Sequence, residues 1–122
     1  MNNINLVGID AHIGSQILDL DPFEDSLERL EGLYHKLKDE NIDIDFIDIG
    51  GGLGIKYEDN DRPPSKNEFA QRIIKRMKKI NCKLVIEPGR SLVGNSGYLL
   101  SCLLYTSPSP RDATLSRMPG CG

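Results

Sequence analysis

The chain has 122 residues, the length of one ordinary domain, with a formal net charge of −3 and a pI near 5.3, which argues against nucleic acid or an anionic membrane as its partner. No stretch approaches the roughly 18 consecutive apolar residues of a membrane span, and MNNINLVGID lacks the basic start and apolar core of a signal peptide. Cys82, Cys102 and Cys121 form no CxxC pair and no metal-ligand spacing, so a reducing, cytoplasmic setting without a metal is expected.

The first element is a short apolar strand, Ile4 to Ile9, closed by the turn His12-Ile13-Gly14-Ser15-Gln16. Asp21-Pro22-Phe23-Glu24 then reads as a helix start, with Asp21 as N-cap, Pro22 at the first helical position and Glu24 completing a capping box. Phe23, Leu27, Leu30, Leu33, Tyr34 and Leu37 recur at helical spacing, so one face of a helix over 22–40 packs inward, and Asn41 ends it. A second strand, Ile44 to Ile49, runs into Gly50-Gly51-Gly52, after which Asp59-Asn60-Asp61 and Pro63-Pro64 break the chain. Ser65 and Glu68 form another capping box, and Phe69, Ile73, Ile74, Met77 and Ile80 line the buried face of a helix over 66–80. Lys75, Arg76, Lys78 and Lys79 are expected on its solvated face. A third strand, Leu84 to Ile86, delivers Glu87-Pro88-Gly89-Arg90, and Cys82 before it reads as a small packing residue. From about Ser101 the periodicity stops. The proline- and serine-rich run 101–122 is expected to be a non-native or disordered tail, similar to translated adapter sequence, outside a structural unit at 1–100.

Strands alternating with amphipathic helices imply an α/β fold with a parallel sheet and right-handed crossovers. His12 to Gly50 is 38 residues and Gly50 to Glu87 is 37, so each motif falls at the carboxyl end of its strand. Barrels and open doubly wound sheets both place their chemistry there, and spacing does not separate them.

Each motif has a bland and a chemical reading. His12 could be a structural residue or could stack on a flat ring, while Gly14 lets a ligand approach and the Ser15 hydroxyl can bond a phosphate oxygen. Gly50-Gly51-Gly52 could be a tight turn, or a run of N–H groups forming a concave anion site with no side chain in the way. A dinucleotide fingerprint fits poorly, since Gly52-Leu53-Gly54 is followed by Ile55-Lys56-Tyr57, and no Walker lysine follows either. Glu87, expected to be partly buried, could simply pair with Arg90. Alternatively it holds a protonated heterocycle nitrogen while Arg90 binds a phosphate or carboxylate.

GIDAHIGSQI, DIGGGLGIKY and EPGRSLVGNSG, in this order and spacing, resemble the fold-type III, alanine-racemase-like pyridoxal-phosphate decarboxylases over nearly all of residues 4–100. HIGSQ with GGGLGI-x-Y favours the branch that converts meso-2,6-diaminopimelate to L-lysine and CO2 in lysine biosynthesis. The ornithine- and arginine-type decarboxylases of the polyamine pathway, or a non-catalytic pyridoxal-phosphate-binding barrel protein, are the alternatives. The resemblance implies the last three βα units of a (β/α)8 barrel, a pyridoxal 5'-phosphate cofactor, a small amino-acid substrate and a homodimer for the full-length enzyme. It implies that His12 stacks on the cofactor ring, Ser15 and Gly50, Gly51 and Gly52 hold its phosphate, and Glu87 pairs with the ring nitrogen. Arg90 would serve the phosphate or the substrate carboxylate. The family's Schiff-base lysine lies on the first barrel strand and its second, all-β domain follows the barrel. Both are expected outside this chain, which would then be an inactive fragment, and Cys102 and Cys121 are not the family's substrate-site cysteine.

Overall fold

A computed structural model describes residues 3–98 and 100, and the tail expected at 101–122 lies outside the described residues. Three βα units follow one another: β1 (Gly8–Asp10), α1 (Asp21–Asp39), β2 (Phe46–Asp48), α2 (Lys66–Met77), β3 (Lys83–Val85) and the single turn α3 (Arg90–Val93). The strands form a parallel three-stranded sheet in the order β1-β2-β3. Register places Asp10 beside Asp48 and Asp48 beside Val85, so all three chains leave the sheet at one edge.

The first two strands are shorter than expected, β1 also ending one residue later, and β3 keeps its length but lies one residue earlier. Pairing sets them, not propensity: Asp45 N–H donates to the Val7 carbonyl (2.8 Å) and Lys83 N–H to that of Asp45 (2.9 Å), which starts the ladder where all three chains meet. Helix α1 begins with Leu20 as N-cap and no side-chain cap, so the Asp21 capping box does not form. Asp21 instead accepts from Arg72 of α2 at 2.7 Å, an attraction across 51 residues of sequence. Asn41 ends the helix in the left-handed region (φ 59°), a conformation asparagine tolerates. The Ser65/Glu68 capping box is present: Ser65 Oγ accepts from Glu68 N–H (3.2 Å) and the Glu68 carboxylate from Ser65 N–H (2.8 Å).

One core lies between the helices and the sheet. Phe23, Leu27, Leu30 and Tyr34 of α1, Ile47 and Ile49 at β2, and Ile73 and Met77 of α2 are buried together, with the Phe23 and Phe69 rings edge-to-face at 5.0 Å. Each such side chain contributes about 1.5–3 kcal/mol through burial. Leu33 and Ile74, expected inside, are exposed, because the helices touch the sheet along stripes narrower than their apolar faces. Arg76 is not merely solvated: it reaches Glu28 (2.9 Å) and Glu31 (3.1 Å) of α1, while Lys75, Lys78 and Lys79 are exposed. Cys82 packs against the core, and burial pushes its thiol pKa up, as suits a packing residue.

Candidate active site

The three motifs meet beyond the carboxyl ends of the strands. Loop one (His12–Asp19) and loop two (Gly50–Pro64) continue the sheet as backbone pairing: Ile17 N–H donates to the Gly52 carbonyl and Gly54 N–H to that of Ile17, both at 2.9 Å. Loop three joins through Glu87 N–H, which donates to the Gly50 carbonyl at 2.8 Å. The glycines are what let these backbones come so close. A Cβ on Gly51 would land on the Glu87 carbonyl, and one on Gly52 on the Gly14 carbonyl, while Gly52 also has φ +99°.

The side chains divide by surroundings. His12 and Ser15 are exposed at the mouth, and His12 Nδ1 accepts from Gly14 N–H (3.2 Å). The His12 Nε2 faces Gly51, 3.8 Å from where its Cβ would be. Gly50 and Gly51 are buried. Glu87 is exposed, contrary to the expectation of partial burial, because it follows β3 at the edge of the sheet. It makes no ion pair with Arg90 among the described residues. Arg90 is half-buried and turns to loops one and two, donating to Gln16 Oε1 (3.3 Å) and lying over the Tyr57 ring (5.6 Å).

Two acidic residues were missed by the sequence reading. Carboxylate oxygens of Asp10, Asp48 and Glu87 lie within 4.8 Å of one another, and buried Asp48 accepts from Gly50 N–H at 2.8 Å. The signal was available: an acidic residue follows an isoleucine at or just past each strand's end, at Ile9-Asp10, Ile47-Asp48 and Ile86-Glu87. Three carboxyl groups this close together suit a cationic group among them.

Comparison with known proteins shows the family. Residues 1–94 match the family model described as pyridoxal-dependent decarboxylase, pyridoxal binding domain. The chain belongs to this family. It is similar to the diaminopimelate decarboxylase of Aquifex aeolicus, with 42% identity over 101 residues, which is 83% of this chain and 24% of the relative. A solved structure from Aquifex aeolicus superposes with a TM-score of 0.74 at 42% identity, covering 77% of this chain and 23% of that one. The diaminopimelate decarboxylase of M. jannaschii, solved in complex with L-lysine, gives 0.66 at 38%, covering 70% and 21%. The chain thus spans about a quarter of the length of the curated relatives it matches. Among the described residues, no helix is long and apolar enough to cross a membrane.

Proposed function

We propose that the chain is part of a pyridoxal 5'-phosphate-dependent decarboxylase that converts meso-2,6-diaminopimelate to L-lysine and CO2, and that its strand-end loops are one wall of the cofactor site. The observation that carries this reading is the meeting of the three motifs: the Gly50-Gly51-Gly52 run packs against the backbones of loops one and three, so closely that a Cβ on Gly51 or Gly52 would strike the Glu87 or Gly14 carbonyl, at the edge where Glu87 and Arg90 emerge. A glycine turn of this kind can offer its free N–H groups to a phosphate. The bound cofactor supplies a protonated ring that takes up the electrons released with CO2.

The chain's own residues have distinct tasks in this reading. The Gly51 and Gly52 amides and the Ser15 hydroxyl hold the phosphate, while Gly50, whose N–H is taken by Asp48, shapes the turn, and Arg90 adds positive charge to the phosphate or to the substrate carboxylate. His12, bonded through Nδ1 to Gly14, presents its ring face to the cofactor. Glu87 holds a proton on the ring nitrogen, and the nearby Asp10 and Asp48 carboxylates favour the protonated form. Lys56 is tied to Asp59 and Lys83 opens β3 at its opposite end, so neither is placed to join the cofactor, and the lysine that would do so belongs outside the described residues.

The three βα units are read as the last three of a (β/α)8 barrel. The apolar edges support this: Leu6 and Val7 precede β1 and Val85 and Ile86 close β3, all exposed, whereas parallel strands ordinarily have covered neighbours. A homodimer, a cytoplasmic setting and a boundary near residue 100 belong to the same proposal. The test is to extend the chain to the length of its relatives and assay CO2 release from meso-2,6-diaminopimelate, ornithine and arginine with pyridoxal phosphate. Release from diaminopimelate alone is expected, and none from the 122-residue chain by itself. Turnover of ornithine or arginine in preference would overturn the substrate, and no cofactor dependence would overturn the whole reading.

A further inference from the structure

We propose that Gln16 is a positioning residue that locks the three strand-end loops together and sets where Arg90 can reach, an inference that rests on the phosphate-site reading above. Its backbone is unusual. Gln16 has φ 56°, in the left-handed region, without being glycine or asparagine. Strain of this kind persists only where the surroundings over-determine it.

Those surroundings are visible. The side-chain carboxamide pairs with the Ile55 peptide like a short piece of strand: Nε2 donates to the Ile55 carbonyl (2.6 Å), and Ile55 N–H donates to Oε1 (3.1 Å). The same Oε1 accepts from Arg90 Nη1 at 3.3 Å. One half-buried amide therefore joins positions 39 and 74 residues away, each on a different loop. Its neighbour Ile17 pairs with Gly52 and Gly54, so the clasp closes directly on the glycine cradle. Tyr57 bounds Arg90 on another side, and its own N–H is fixed by the Asp61 carboxylate at 2.9 Å. Asp61 is held below its ordinary range by the Glu58 and Tyr57 N–H groups, so it remains an acceptor at neutral pH.

Only an amide satisfies both ends. A carboxylate could still receive Arg90 and Ile55 N–H, but would aim a second acceptor at the Ile55 carbonyl. A leucine would lose every bond. Gln16 touches no ligand in this scheme. It acts through Arg90, and its contribution to anion binding should vanish when Arg90 is removed.

The experiment is a double-substitution cycle in the 122-residue chain, with inorganic phosphate and pyridoxal phosphate as probes and amide exchange at Ile55 as a second readout. Arg90→Ala is expected to weaken binding about tenfold or more, and Gln16→Leu by a similar factor, as for loss of a bond to a charged group. The two together should be no worse than Arg90→Ala alone. Gln16→Glu should retain binding better than Gln16→Leu while exchange at Ile55 quickens. If Gln16→Leu costs the same factor with and without Arg90, Gln16 is merely structural and the inference fails while the phosphate site stands. If Gln16→Leu does not fold, Gln16→Glu decides: unchanged Ile55 exchange overturns the clasp. If Arg90→Ala binds both probes normally, Arg90 does not serve the phosphate and this inference fails while the glycine site stands; if the unaltered chain binds neither probe, the phosphate-site reading fails and takes this inference with it.

Discussion

Replacing Gly51 with alanine tests whether the site depends on backbone contact. Gly51 does not have a positive φ, so the substitution carries no penalty of conformation; its whole effect is a methyl group driven onto the Glu87 carbonyl, 3.3 Å from the Glu87 carbonyl carbon. The obstacle is backbone, not the end of a flexible side chain, so loop three must move. That movement strains the bond from Glu87 N–H to the Gly50 carbonyl, now 2.8 Å. Overpacking by one methyl costs about 1–3 kcal/mol, and the hydrogen bond is worth about 0.5–1.5. Reduced freedom of the unfolded chain returns about 0.4–1 kcal/mol. The net expectation is a loss of about 0.5–4 kcal/mol, between about twofold and about a thousandfold in the folding equilibrium. Urea unfolding followed by circular dichroism measures it, with amide exchange at Glu87 and pyridoxal-phosphate titration reporting the site. Gly32→Ala is the control: nothing lies within 4 Å of its Cβ position on α1, so it should stabilise by about 0.5–1 kcal/mol. A Gly51→Ala chain as stable as its parent, with the same affinity, would refute the argument that the close approach builds the cradle.

Three other outcomes are expected. Leu27→Ala, at a fully buried position facing the sheet, should cost about 2–5 kcal/mol in urea unfolding, whereas Leu33→Ala, 43% exposed on the same helix, should cost under about 0.5. The Ser65 N–H, and then the Ser65 hydroxyl, hold the Glu68 carboxyl below its ordinary value of 4.5. Its contribution to α2 is therefore full above 4.5 and lost as pH falls through the lower folded value. Glu68→Gln should flatten that dependence in amide exchange across α2, and an unchanged acid limb would count against the cap. In a chain extended to the length of its relatives, Glu87→Gln should lower single-turnover rates at saturating pyridoxal phosphate with little change in cofactor dissociation. An unaltered chemical step would remove Glu87 from the ring nitrogen.

The helices were legible because helical periodicity is local: Phe23, Leu27, Leu30 and Tyr34, then Phe69, Ile73 and Met77, report their burial through spacing alone. What spacing could not report was the width of the contact. Leu33 and Ile74 satisfy the same periodicity and face water, since the sheet offers only three short strands for two helices to cover. The Asp21 cap failed for a related reason. A local capping box competed with Arg72, an ion pair that exists only once α1 and α2 pack side by side. Strand limits moved because a ladder begins where three partners coincide, which no single strand encodes.

The site shows the same division between local and assembled features. Three glycines in a row and an acid–Pro–Gly–Arg sequence are conspicuous anywhere, and their position at strand ends is a matter of counting residues. Asp48 was hidden by looking like part of a β-branched run, although its carboxylate caps Gly50 N–H and stands beside Asp10 and Glu87. Gln16 was hidden more completely, for its partners lie 39 and 74 residues away and become partners only when the three loops close. Arg90 follows from this. Read locally it belongs to Glu87, three residues before it. Folded, Arg90 opens α3 and is taken by Gln16 and Tyr57, which leaves the Glu87 carboxylate among two other acids with no described cation paired to it. The proposed pairing of Glu87 with a protonated ring nitrogen would supply that cation, which is why the Glu87→Gln experiment reads the chemical step and not the affinity.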